Sequence, residues 1–242
     1  SFASCGLVVL TGAPEAQRAG RVYIILVVIG EVLLFSGLIL VAGAGEHYDF
    51  LQLAPGGVSP AARLLLITGF GIKAGALPLH VWLPPAHSSA PAPVSAVLSA
   101  LVIKASFYLL LRMWFEVFPA LTTPALAGFV GVMGGIAIIW GSLVALRQQR
   151  LKLVVAYSTV AQVGYLFLVF PLATATASSP ASLAVVMHML SHGCAKAAMF
   201  LAAGSIMAGL GTDDIDATRG LASRMPRSAL AFAAGGMVLM GL

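Results

Sequence analysis

Charge is what this sequence has least of. Lys, Arg, Asp and Glu make up only 9% of the 242 residues, where a soluble domain carries about 25%. With 60% hydrophobic residues and a mean hydropathy of +1.02, the composition excludes an ordinary water-soluble globule and places the chain in lipid. Several apolar runs reach about 20 residues, the length that crosses a hydrocarbon core. Cysteine is nearly absent: Cys5 and Cys194 both lie in apolar runs, so no disulfide framework and no iron–sulfur pattern is indicated. Both are expected to be small buried apolar side chains. No nucleophile with its base is present. The glycines Gly69, Gly71 and Gly75 do not have the dinucleotide spacing, and no strand precedes them. Ser1 stands where an initiator methionine would, and the last apolar run stops midway, so an internal piece of a longer polytopic protein is expected.

What is present segments into helices. A partial span is expected at 1–12, full spans at 22–44, 63–82, 94–112, 125–145, 153–170 and 181–210, and a truncated span from 229. The connections then alternate between two sides. One side collects Arg18, Arg21, Arg147, Arg150, Lys152, Arg219, Arg224 and Arg227; the other has only Arg63 and Arg112, at span edges where they can snorkel. Eight against two is a positive-inside bias, and it assigns connections 13–21, 83–93, 146–152 and 211–228 to the cytoplasm. The net charge of +5 is therefore a topology signal, and nucleic acid is not implied. The Ala- and Gly-rich composition adds, by association, a bacterial plasma (inner) membrane.

Three of the thirteen basic residues fall in no connection: Lys73, Lys104 and Lys196 lie inside spans. Of the eight acidic residues only Glu31 does, and His188 and His192 join them. A charge at the bilayer centre costs roughly 2.5–3.5 kcal/mol on insertion scales. Burial disfavours the charged form of any ionisable group, so a group held near balance can take up a proton and pass it on. The plainer alternative is a lysine that pairs with a carboxylate or caps helix carbonyls. Three lysines and one buried acid cannot all pair within the chain, which favours a functional role over a structural one. Glu31 is open between counter-ion for Lys73 and a separate packing contact.

In MHMLSHGCAKAAMF, His188, His192 and Lys196 follow at i, i+4 and i+8 along one helix face. No third ligand lies near and the lysine would repel a cation, so a polar file is expected there instead of a metal site, with packing histidines as the alternative. In GFGIKAGALPLH, Pro78 removes a backbone donor after Lys73, so the helix is expected to break there, in polar surroundings. Packing of its glycines against a neighbour is compatible with that. The Pro-rich link 82–96 should enter the next span extended.

Four stretches resemble a known family: residues 69–112, GFGIKAGALPLHVWLPPAHSSAPAPVSAVLSALVIKASFYLLLR; LKLVVAYSTVAQVGYLFL at 151–168; HMLSHGCAKAAMFLAAGSIM at 188–207; and GLASRMP at 220–226. They look like the antiporter-like subunits of respiratory complex I, a family shared with multisubunit sodium/proton antiporters and membrane-bound hydrogenases. The resemblance implies an all-α polytopic membrane helix bundle built of two inverted five-helix repeats, each with a broken helix. Residues 1–112 would hold most of the first repeat, with its broken helix at 63–82, and 125–242 the start of the second. It implies a proton-relay role for Lys73 on the broken helix, for Lys104 as the next lysine, and for Lys196 with His188 and His192 as the link between half-channels. The family's glutamate before the first lysine would precede Ser1, and its last lysine or glutamate would follow Leu242. Glu31 matches no family hallmark, and whether it modulates Lys73 stays open. The implied function is proton translocation in a redox-driven complex of the NADH-quinone oxidoreductase or hydrogenase type. The alternatives are a multisubunit sodium/proton antiporter or a structural subunit without transport. Expected partners are other membrane subunits, the bilayer, and protons or sodium ions, with no cofactor in this chain.

Overall fold

A computed structural model describes residues 2–42, 59–117, 123–173 and 180–241. Helices account for nearly all of them, and the one backbone pairing of strand type among the described residues is an isolated bridge between Arg150 and Asp214. In chain order the helices are α1 Phe2–Val8, α2 Pro14–Ala42, α3 Pro60–Ala74, α4 Leu83–Ser89, α5 Ala92–Val97, α6 Ile103–Arg112, α7 Pro124–Leu146, α8 Leu151–Phe167, α9 Val169–Leu172, α10 Pro180–Leu210, α11 Leu221–Arg224 and α12 Pro226–Met240. Among the described residues, six stretches are long and apolar enough to cross a membrane: Pro14–Ala42, Pro60–Ser89, Ala92–Glu116, Pro124–Leu146, Leu151–Leu172 and Pro180–Leu210. Each overlaps one expected full span, so the architecture is the polytopic helical bundle that the apolar runs require.

Large apolar side chains point outward along these helices, Ile25, Val32, Phe35 and Ile39 on α2 and Phe129, Val132, Ile136 and Ile139 on α7 among them. In water such a surface would be a liability; against lipid it is the favourable one. Small residues take the inward faces instead. On α7 these are Ala127, Gly131, Gly134, Ala137, Gly141 and Ala145, which let α8 approach closely. A Cβ added at Gly134 would sit 2.7 Å from the Gly164 carbonyl of α8. In the same way Gly69 of α3 lies against Gly30 and Leu34 of α2, so the packing role considered for that glycine is its actual one.

The four connections assigned to one side do meet at one end of the bundle. Arg150 pairs with Asp213 and reaches Glu15 at 4.0 Å, while Leu151 N–H donates to the Asp213 carbonyl and Ile215 N–H to that of Gln149. Lys152 reaches the carbonyls of Ser88 and Ala90. Several boundaries differ from the sequence reading. Residues 14–21 belong to α2, whose 29 residues extend about 43 Å. The Pro-rich link 82–96 is largely helix: α4 and α5 occupy it, with Leu83, Ala86, His87 and Ser95 buried. Pro84, Pro85 and Pro93 sit in first turns, where the missing N–H costs nothing, and Pro91 precedes α5 as its N-cap, so they start helices instead of excluding them. Cys5 is buried as expected but Cys194 is exposed on the outer face of α10.

Candidate functional site: a file of buried lysines and histidines

The break in the span Pro60–Ser89 lies between Ala74 and Leu79. Gly75 ends α3 in the left-handed conformation, φ 70°, which only glycine adopts without strain. Pro78 then precedes a 3₁₀ turn, Leu79–Trp82, that leads into α4. The interrupted carbonyls find protein donors. Gly71 O accepts from Ala76 N at 2.9 Å; Ile72 O accepts from Gly75 N at 3.2 Å and from the buried indole N–H of Trp82 at 2.8 Å. Trp82 in turn stacks on Tyr23 of α2, centroids 4.5 Å apart. The expected polar surroundings are therefore not what stabilises the break. The cavity beside it, about 140 Å³, is lined by apolar groups including Ile67, Leu77, Pro78, Val163 and Phe167.

Lys73 occupies the last turn of α3, and its Nζ lies 3.0 Å from Glu31 Oε1 on α2. Both side chains are about three-quarters buried, at 21% and 26% exposure. Of the two readings of Glu31, the structure realises the counter-ion. The register follows from the α2–α3 interface, where Gly30, beside Glu31, and Gly69, one turn before Lys73, let the backbones meet.

Lys104 and Lys196 are in a different situation. Lys104, 6% exposed, follows the π-helical segment Leu98–Val102 that joins α5 to α6, and its ammonium donates to the Ser99 carbonyl. Lys196, fully buried on α10, donates to Val155 O at 2.9 Å and to Ser158 Oγ, both on α8. Neither has a carboxylate within 4.0 Å among the described residues. Hydroxyls fill the space between them: Ser99 Oγ and Thr159 Oγ1 are 3.4 Å apart, and Thr159 and Ser158 both donate to the Val155 carbonyl that Lys196 uses.

The α10 face is arranged as its i, i+4, i+8 spacing requires. His188 and His192 stack with centroids 5.9 Å apart and rings within 5° of parallel, and Tyr165 meets His188 edge-on. His192 is 1% exposed, and neither ring nitrogen has a hydrogen-bond partner among the described residues. The charges of Lys104 and Lys196 both act on it. Lys104, His188, His192 and Lys196 thus form one cluster, whereas Lys73 makes its hydrogen bond and its ion pair with Glu31.

Two members of this interior are not singled out by the sequence. His87 of α4 is fully buried, stacks on Phe200 of α10 at 4.8 Å, has both ring nitrogens unpartnered among the described residues, and feels Lys152, Lys196 and Lys104. Lys152, assigned above to a connection, is 3% exposed. First-turn prolines in LPPAHSS are the available signal for His87, since they mark a helix start that would carry it inward.

Known proteins share this architecture. The family model described as NADH:quinone oxidoreductase/Mrp antiporter, TM, matches residues 1–242. The chain is 32% identical over 255 aligned positions to hydrogenase-4 component B of Escherichia coli, covering 100% of this chain and 38% of that protein. It is 31% identical to NAD(P)H-quinone oxidoreductase chain 4 1 of a Synechococcus species, covering 98% and 45%. Among solved structures, a chain of the membrane-bound sulfane sulfur reductase, an archaeal respiratory membrane complex, superposes with a TM-score of 0.89 at 30% identity, over 100% of this chain and 50% of that one. A chain of the Mrp complex from Dietzia sp. gives 0.86 at 27% identity, over 99% and 45%. The chain spans half or less of the length of these relatives. It is a member of the NADH:quinone oxidoreductase/Mrp antiporter transmembrane family, a multi-pass antiporter-like membrane subunit.

Proposed function

We propose that the chain translocates protons across a membrane within a redox-driven complex of the NADH-quinone oxidoreductase or hydrogenase type, through Lys73, Lys104, His188, His192 and Lys196. The observation that carries this reading is the pair Lys104 and Lys196, buried cations held by neutral oxygens alone among the described residues. An ammonium in the bilayer interior without a counter-ion is costly to hold, so a change in a neighbouring charge bears on it directly. Lys73 differs in having Glu31 beside it, and charge arriving at or leaving that pair would bias the next lysine along. Electron transfer elsewhere in the complex would supply the bias; the chain itself carries no redox cofactor in this reading. The end gathering Arg150, Lys152 and the 211–228 connection would face the cytoplasm of a bacterial plasma membrane. The two-repeat division, 1–112 and 125–242, belongs to the same proposal.

The likeness to a Mrp complex chain favours one alternative, an antiporter subunit driven by an ion gradient. Proton uptake into vesicles that hold the reconstituted complex tests both. Lys73→Ala should abolish uptake while the complex assembles; unchanged pumping would overturn the relay. Uptake that needs a sodium gradient and no electron donor would move the chain to the antiporter branch.

A further inference from the structure

The second half of the broken helix, α4, is only seven residues long, and a helix that short is not stable by itself. It must be held at both ends. At its start, Trp82 ties it to Ile72 and Tyr23. At its end four carbonyls would ordinarily be left over. Three of the terminal groups are taken by side chains from elsewhere. Ser95 Oγ donates to His87 O at 2.9 Å, and the Lys152 ammonium donates to Ala90 O and, at 3.4 Å, to Ser88 O.

Lys152 occupies the first turn of α8, where the helix dipole disfavours a cation. It is 3% exposed and has no carboxylate within 4.0 Å among the described residues. The nearby acid Asp213 is engaged by Arg150. The carbonyl end of α4 stabilises a buried cation at the wrong end of its own helix. The sequence breaks a local rule here and the tertiary contact compensates, as happens at working sites. Immediately inside this contact lies His87, fully buried with unpartnered ring nitrogens and close enough to feel Lys104 and Lys196.

We propose that Lys152 is a positioning residue, a latch that clamps the free end of the broken helix to α8 and closes the interior file to water at the connection-rich end of the bundle. It acts through α4 and takes no part in carrying the proton. The latch rests on the proton-translocation reading for its purpose, but its geometry can be tested without transport.

The experiment uses the assembled complex in native membranes, with Cys5→Ser and Cys194→Ser as background and Ser89→Cys introduced as a reporter at the end of α4. Labelling by a water-soluble maleimide is followed with and without Lys152→Met, which keeps the stem and removes the donors. Labelling at least tenfold faster in Lys152→Met, restored to the slow rate by Lys152→Arg, is the expected result. In vesicles the same Lys152→Met complex should leak protons down an imposed gradient. Labelling at the same rate with Lys152 in place as in Lys152→Met would overturn the latch, as would failure of Lys152→Arg to restore slow labelling. If Lys73→Ala leaves pumping intact while the labelling result holds, the relay reading fails and the latch stands.

Discussion

Replacing Lys196 by methionine separates a transport role from a structural one, because its energetic cost can be worked from the contacts. The side chain is fully buried and its ammonium makes two hydrogen bonds, to Val155 O and to Ser158 Oγ. Hydrogen bonds from a charged group contribute about 1.5–3 kcal/mol each. Against that stands the roughly 2.5–3.5 kcal/mol spent on placing a charge in the bilayer interior, which the substitution recovers. Methionine fills nearly the same volume, and such swaps cost less than about 1.5 kcal/mol. No orphan is created, since Val155 O keeps the Ser158 and Thr159 donors. The midpoints of these ranges leave a net loss of about 2 kcal/mol, so Lys196→Met should still assemble, with a modestly lowered thermal stability. Proton uptake into vesicles should nevertheless fall at least tenfold. Normal uptake, or a complex that falls apart, would refute the reasoning, the first by removing Lys196 from the path and the second by making it a structural strut.

Glu31→Gln removes one partner of a pair whose side chains are 21% and 26% exposed; it should lower stability by about 1–3 kcal/mol in denaturant titration and slow proton uptake. Unaltered uptake would leave Glu31 a structural counter-ion with no part in transport. Gly134→Val should cost about 1–3 kcal/mol by overpacking, read as a lower melting temperature, because its Cβ meets the Gly164 carbonyl at 2.7 Å. Gly135→Ala, with nothing within 4 Å of its Cβ, is the control and should be neutral or slightly stabilising. Trp82→Phe keeps the ring against Tyr23 and loses the bond to Ile72 O, so about 1 kcal/mol should go and amide exchange around residues 72–76 should quicken.

The spans and the buried lysines are legible because lipid imposes a simple code: a residue in an apolar run of about 20 is inside, and a lysine there stands out. The i, i+4, i+8 spacing correctly puts His188, His192 and Lys196 on one face, since helix geometry alone decides that. The role of Glu31 stays open in the sequence, because pairing it with Lys73 depends on the register of α2 against α3. That register is set by close glycine contacts, which carry no periodic signal. The departures share a cause. Prolines in 82–96 suggest extended chain, yet at first-turn positions they begin α4 and α5 and carry His87 inside. Lys152 sorts into a connection by its place in the sequence, while its ammonium is drawn inward by the α4 carbonyls 62 and 64 positions away. The exposure of Cys194 is equally tertiary, because Gly193 and Ala195 beside it on α10 are buried while it faces out.

The most direct measurement is the charge state of the lysines themselves while the complex works. With labelled side-chain nitrogens, the resonances of Lys73, Lys104 and Lys196 should each switch between the ammonium and the neutral amine forms when electron donor is added, and return when it is exhausted. Resonances that stay fixed in one form through turnover, while protons are still pumped, would contradict a relay of buried lysines.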